Sequence, residues 1–599
     1  MEELFDIVKT YRDRFKEECA KVSAETFEEL FQKSGVDAEA NAVTVQEEAQ
    51  QQQQLAKFKS RAKWCLFGIF FLVAAIIGGI VALPPWLEQF QNPDAACSEQ
   101  MATAIAVGGI VLLLAATIRL LIARRRLKKS IDGISTVVEK LHNEGWEQLK
   151  PLNDLFTWQT VTDIIQKVLP QAKFDSFFSS GRLQQLRQEF GWDDSFNNDR
   201  SILGCQSGSL NGNPFVLARS VYTSMGTKSY TGSMTIHWTE REAYIDAKGN
   251  SRTRLVTRSQ VLTATVEKPC PCYYDSSMLI FGSEAAPELS FTRAPTRLAD
   301  CGDGFFDQRK LNSAIDDLRK QSSKSTTFTI MANEEFDAIF HAVDRDNETQ
   351  FRLLFTALAQ QQMLELLRDK EDGYGDDFHF IKSHKINVIM PEHLNGLQID
   401  ANPAVLTSWN LEQMREHFSQ FVNDYFRSFY FAFAPILSIP LYQQYQSDAE
   451  VYKNVYGCRQ ASFWEFEAVA NSYGEEQFKH PDCVTRNILK ITGEHRDSED
   501  TATLNVTAYG YTGIERTDHV STLGGDGHYH DVPVPWIQYV PVERTTPVNI
   551  HEDCGDDQPG EPRSGAAAEV WNNFVSNWNN SGKSNRQLRR FIYSFRNQQ

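Results

Sequence analysis

The sequence predicts an α+β chain: a transmembrane helical hairpin with long juxtamembrane helices, joined to a cytosolic mixed α/β region containing antiparallel sheets. Three observations carry this expectation. They are two long uncharged runs, clusters of Lys and Arg at their flanks, and a change from helical to alternating periodicity near Ser201.

The first run, WCLFGIFFLVAAIIGGIVAL, occupies residues 64 to 83 without a charge. At about 1.5 Å per residue it can cross a hydrocarbon core of about 30 Å. It begins after 63 mostly polar residues and ends at Pro84-Pro85, so it reads as a span rather than a secretory signal. The second run, residues 102 to 123, carries a single charge, Arg119, near its C-terminal end, where a guanidinium can snorkel to the interface. Lys57, Lys59, Arg61 and Lys63 precede the first run and RRRLKK follows the second, while the connecting segment 84 to 101 has no Lys or Arg. Positive residues near span ends are retained in the cytoplasm, which places both termini inside a cell membrane crossed twice. GGIV occurs in each run, so Gly78 and Gly79 are expected to face Gly108 and Gly109, where small residues let helix backbones approach.

Around this hairpin the chain divides by periodicity. Residues 1 to 63 read as a cytosolic helical region, with Leu4, Ile7, Val8, Tyr11 and Phe15 on one face. Juxtamembrane helices are expected over 124 to 200. A β-rich domain follows over 201 to 300, where Met234, Ile236 and Trp238 alternate with polar residues and DAKGN, 246 to 250, supplies a turn. A helical and mixed domain spans 301 to 445; in it Phe351, Leu354, Phe355, Leu358 and Ala359 make one helical face, and Asp346 or Asn347 caps a helix. FYFAFAPILSIPLY, 429 to 442, is too short and too rich in proline to be a third span and reads as buried core. A second β-rich region covers 446 to 560. The tail, 561 to 599, is expected to be amphipathic, with Leu588, Phe591, Ile592 and Phe595 on one stripe of a helix.

Composition excludes some function classes. A formal charge of -18 argues against nucleic acid as a partner, because phosphate binding needs a basic face. Ten cysteines in 599 residues do not make a disulfide-stapled domain. SGKS at 581 to 584 lacks the first glycine of a phosphate loop, DRDNETQF lacks the turn glycine and terminal Glu of a calcium loop, and no hydrolase, kinase or dinucleotide fingerprint is present.

The best candidate for chemistry is GGDGHYHDVPVPW, 524 to 536. His528 and His530, two apart on a strand, would project from one face with Asp531 nearby, a donor set suited to zinc or another transition metal. The alternative is an exposed loop leading into an edge strand. Cys270 and Cys272, in CPC, either take a soft metal or a regulatory oxidation or end a strand. No other cofactor is evident.

The order of parts, with NEEFDAIFHAVDRDNETQFRLLF and GSLNGNPFVLARS, resembles uncharacterised bacterial membrane proteins in which two spans precede a large cytoplasmic domain. The resembling segments cover about half of the chain. The resemblance implies a bacterial cell membrane and a cytoplasmic α+β domain, and brings no catalytic residues. The expectation is therefore a membrane-anchored interaction or scaffold module without catalysis, contacting the lipid bilayer, cytoplasmic protein partners and further copies of itself. The competing expectation is a metal-dependent enzyme or sensor centred on His528 and His530.

Overall fold

The computed structural model describes residues 4–90, 97–245, 251–302, 304–325, 328–397, 399, 401–445, 460–496, 501–552 and 591–595. The fold is mixed α/β with antiparallel sheets. It divides into two units: Met1–Ser23, Trp158–Val405 and Phe421–Gln599 form one, Ala24–Thr157 and Leu406–Gln420 the other.

The second unit is built on two long helices, Ala38–Phe90 and Cys97–Asn153. They run antiparallel: Asn41 Nδ2 donates to Gln148 Oε1 at 3.1 Å, and further along a β-carbon on Gly68 would lie 3.2 Å from Leu120 Cδ1. Gly145 is required by contact, since a β-carbon there would sit 2.8 Å from the Trp409 ring. Among the described residues one helix, followed from Ala38 to Gly78, is long and apolar enough to cross a membrane by length and composition. Its apolar side chains are not gathered into a core: Trp64 is 75% and Phe70 70% exposed. In the partner helix Val111, Leu112 and Ile118 are likewise exposed. The helices extend into the segment 84 to 101 that connects the two apolar runs. The first helix continues through Pro84-Pro85 to Phe90, and the next helix starts at Cys97.

The first unit holds the sheets. Its strands are β1 Ala172–Phe174, β2 Arg200–Leu210, β3 Asn213–Ile245, β4 Ser251–Gly282, β5 Ser290–Arg293, β6 Phe378–Ser383, β7 Ile386–Pro391, β8 Ile488–Arg496, β9 Thr501–Leu523, β10 Tyr529–Glu552 and β11 Phe591–Phe595. They make a seven-stranded sheet in the order β1-β2-β3-β4-β7-β6-β5 and a four-stranded sheet in the order β11-β10-β9-β8, antiparallel throughout.

Apolar helices pack on these sheets. Phe429, Tyr430 and Phe433, in the helix Leu411–Leu437, are wholly buried, and Phe429 meets Phe174 and Phe215 at ring separations of 5.2 and 6.1 Å. That helix continues through Pro435, and Pro440 opens the next, Pro440–Gln444, so the apolar stretch 429 to 442 is core. The N-terminal face packs here too: Tyr11 and Phe15 lie 5.3 and 5.5 Å from the Tyr430 ring, whose hydroxyl donates to the Ile7 carbonyl at 2.8 Å.

Three local expectations are refined. Asn347 caps the helix Glu348–Leu354 by accepting from the Gln350 N–H, and Asp344 and Asp346 accept from Thr292 and Ser290, so this acidic segment fastens a strand. The single face expected over Phe351 to Ala359 is split, because Thr356 caps a new helix, Ala357–Arg368. Residues 591 to 595 are a strand paired to Val548–Glu552, not part of an amphipathic helix; the alternating FIYSF satisfies a two-residue period as well as a helical one, and an open sheet edge decides between them. Leu588 and residues 553 to 590 lie outside the described residues, as does the expected turn at 246 to 250, whose flanks Ile245 and Ser251 are paired.

Candidate functional site

Two β-ribbons dominate the first unit. β3 and β4 have 33 and 32 residues, β9 and β10 have 23 and 24. At about 3.3 Å per residue the longer ribbon reaches on the order of 100 Å, far beyond an ordinary strand. Only its base is flanked: β2 pairs with β3 up to Tyr222, and β7 pairs with β4 over Leu279 to Gly282. Beyond that, the outer edges of β3 and β4 are open among the described residues.

The ribbons are held face to face. Alternation puts Tyr230, Met234, Ile236 and Trp238 on one face of β3, with Leu262, Ala264 and Val266 beside them on β4. They close on Val520, Val532 and Val534 of the other ribbon in an apolar cluster. Gly232 lies in this face, and any β-carbon there would collide with the Pro533 carbonyl. The junction ends in polar contacts on both sides: Gly525 N–H donates to Gln260 Oε1 at 2.7 Å, while Asp518 accepts from the Trp536 indole at 2.8 Å and pairs with Lys268 at 2.5 Å. The Lys268 ammonium and the indole N–H hold the Asp518 carboxyl below its usual range. At the base a cleft of about 360 Å³ is lined by Asp199, Thr223, Tyr509, Tyr511 and Glu543 among others.

The expected metal ligands are not brought together. His528 lies in the β9–β10 turn rather than on the strand, because Gly524 and Gly527 close a tight reversal there, so the same-face argument does not apply to it. His530 Nε2 faces Asp526 Oδ2 at 2.9 Å, and the Asp526 carboxyl is held low chiefly by the His528 N–H. Asp531 accepts from Ser521 across the ribbon. No group of three or more His, Cys, Asp or Glu side chains suited to a metal occurs among the described residues. Of the four packing glycines, a β-carbon on Gly78, Gly108 or Gly109 meets nothing within 4 Å among the described residues, and the surroundings of Gly79 lie outside the described residues; a β-carbon on Gly68 would abut Leu120.

Sequence reasoning missed several buried charges. Arg345 is fully buried, with Asp337 at 2.7 Å, Glu348 at 2.8 Å and the Thr329 carbonyl at 2.7 Å. Glu467, 0% exposed, pairs with Lys490 at 2.7 Å. Lys382 donates to the carbonyls of Ala285 and His384 at 3.0 and 2.6 Å with no carboxylate in pairing range among the described residues, and burial pushes its ammonium down to about 7. Nothing in IKSHK signals this, since burial of Lys382 depends on strands and loops distant in sequence. These groups lie in separate hydrogen-bonded clusters of the core.

Compared with models of protein families, with curated proteins and with solved structures, the chain matches none.

Proposed function

We propose that this chain is a membrane-anchored interaction or scaffold module without catalysis, with the paired ribbons as its protein-contacting arm. The carrying observation is the length of β3 and β4 outside the sheet core, with edges that present unpaired backbone donors and acceptors. Such edges favour strand addition by a partner chain. Exposed Met225, Leu255 and Val261 add apolar surface to the arm.

In this reading residues 64 to 83 and 102 to 123 form a two-span hairpin in a bacterial cell membrane, both termini lie in the cytoplasm, and the partners are cytoplasmic proteins or further copies of the chain. The support is the exposed apolar surface of both long helices together with the basic flanks at 57 to 63 and 124 to 129. An impermeant thiol reagent on intact cells tests the topology: Cys97 is expected to react and the half-exposed Cys301 to react only after permeabilisation. Labelling of Cys301 on intact cells overturns it. A photo-crosslinker placed at Val261 in cells tests the arm, with exposed Asp317 as control. A discrete adduct from Val261 alone is expected; equal yields at both positions reject the arm as the contact surface.

A further inference from the structure

Cys270 and Cys272 lie in the middle of β4, not at its end, two residues apart and therefore on one face. It is the face that carries Leu262, Ala264 and Val266 into the ribbon junction. Just past the dry cluster the thiols are half-exposed and reduced.

Their surroundings leave room for the sulfurs. Gly226 stands opposite Cys270, and a β-carbon on it would lie 2.9 Å from Cys272 Sγ, so the missing side chain makes room for that sulfur. Cys272 Sγ lies 3.6 Å from the Cys270 carbonyl and Cys270 Sγ 3.8 Å from the Pro271 carbonyl. Both are weak thiol bonds to the segment's own backbone, and the thiols also face tyrosines, Cys270 the Tyr539 side chain and Cys272 that of Tyr274. Pro269 and Pro271 fix φ on either side of Cys270 and so hold the pair preorganised.

The spacing separates two chemistries. Residues two apart on a strand are about 6.6 Å apart with parallel Cα–Cβ bonds, whereas a disulfide needs its β-carbons within about 4.5 Å. An ion bridging two thiolates needs the sulfurs only about 4.6 Å apart, taking about 2.3 Å for each metal–sulfur bond. Zinc wants four ligands, and no group of three or more suitable side chains occurs among the described residues. Two thiolates alone suit a soft monovalent ion such as Cu(I). Binding replaces two S–H bonds by two metal–sulfur bonds and releases two protons, leaving a complex of net charge minus one. Lys268 and Lys228 stand directly opposite each other one same-face step away, Lys268 paired with Asp518 and lying over the Trp536 ring at 4.4 Å, Lys228 over the Tyr230 ring at 5.2 Å. An anionic complex beside these two ammoniums has its charge balanced.

We propose that Cys270 and Cys272 form a two-coordinate site for a soft monovalent metal ion of the Cu(I) class at the junction of the two ribbons. The test uses the reduced full-length chain in detergent under anaerobic conditions, given Cu(I) against a chromophoric chelator. One copper with a two-sulfur shell in X-ray absorption is expected, with Cys270 and Cys272 protected from maleimide and Cys301 still reactive. Cys270→Ser and Cys272→Ser should each lose the bound copper, and Cys301→Ser should keep it. Copper retained by the C270S/C272S double variant, or unprotected thiols at 270 and 272 in the loaded wild type, overturns the proposal.

Discussion

Gly232 lies flat against the Pro533 carbonyl, so the two ribbons meet backbone to backbone where every other residue would hold them apart. Gly232→Ala is therefore expected to open the junction, with a loss of about 1–3 kcal/mol, the usual range for overpacking. Hydrogen exchange over residues 260 to 266 and 530 to 534 should accelerate in the variant. Unchanged exchange there would show that the ribbons are not coupled through this contact.

The Glu467–Lys490 pair offers a second test. Lys490→Met leaves a carboxylate with no solvent and no cation, which costs about 3–5 kcal/mol near pH 7. Burial raises the Glu467 carboxyl, so its charged form is the costly one and the penalty appears as pH rises through the unfolded value. Denaturant titrations should find the variant's deficit smaller at pH 4 than at pH 7. A deficit independent of pH would reject a role for this charge.

Lys382 has the opposite sense. Its folded value, about 7, lies below the unfolded lysine, so between these values the unfolded chain binds more protons and stability rises with pH. Relative to Lys382→Met, the wild type is expected to gain stability from pH 7 to pH 10, with a slope of up to about 1.4 kcal/mol per unit, and to show no slope from this group below pH 7. Parallel pH profiles for the two proteins would contradict the burial of this amine.

Arg345 holds two carboxylates and a carbonyl with one planar fork, which a lysine cannot reproduce. Arg345→Lys should lose about 2–4 kcal/mol in spite of keeping the charge. Thermal unfolding that matches the wild type would show that charge alone suffices there.

Much of the fold was legible locally. The alternation of Met234, Ile236 and Trp238 marks a strand with one buried face, and the proline-containing run at 429 to 442 reads as core, as it is in the structure. What those faces bury was not legible, because Gly232 and Pro533 are 301 positions apart in the chain and no local period reports on such a contact. The placement of the candidate metal ligands was not legible for a related reason. His528 and His530 share a face only if both are on a strand, and Gly524 and Gly527 put the first of them in the turn.

The sequence by itself determined one helix long and apolar enough to cross a membrane, because a hydrophobic stretch of that length needs only its composition to exclude water. It also determined the change from helix to strand near Ser201 and the capping role of Asn347, which depend on neighbours within a few residues. Only the tertiary structure decided that two hairpins lie face to face, that Phe591–Phe595 adds to a sheet, that Glu467 and Lys490 meet in the dark of the core, and that Cys270 and Cys272 stand mid-strand at the junction. Each of these depends on which surfaces meet after the chain has folded. The free energy of burial belongs to the pair of surfaces and not to either segment alone.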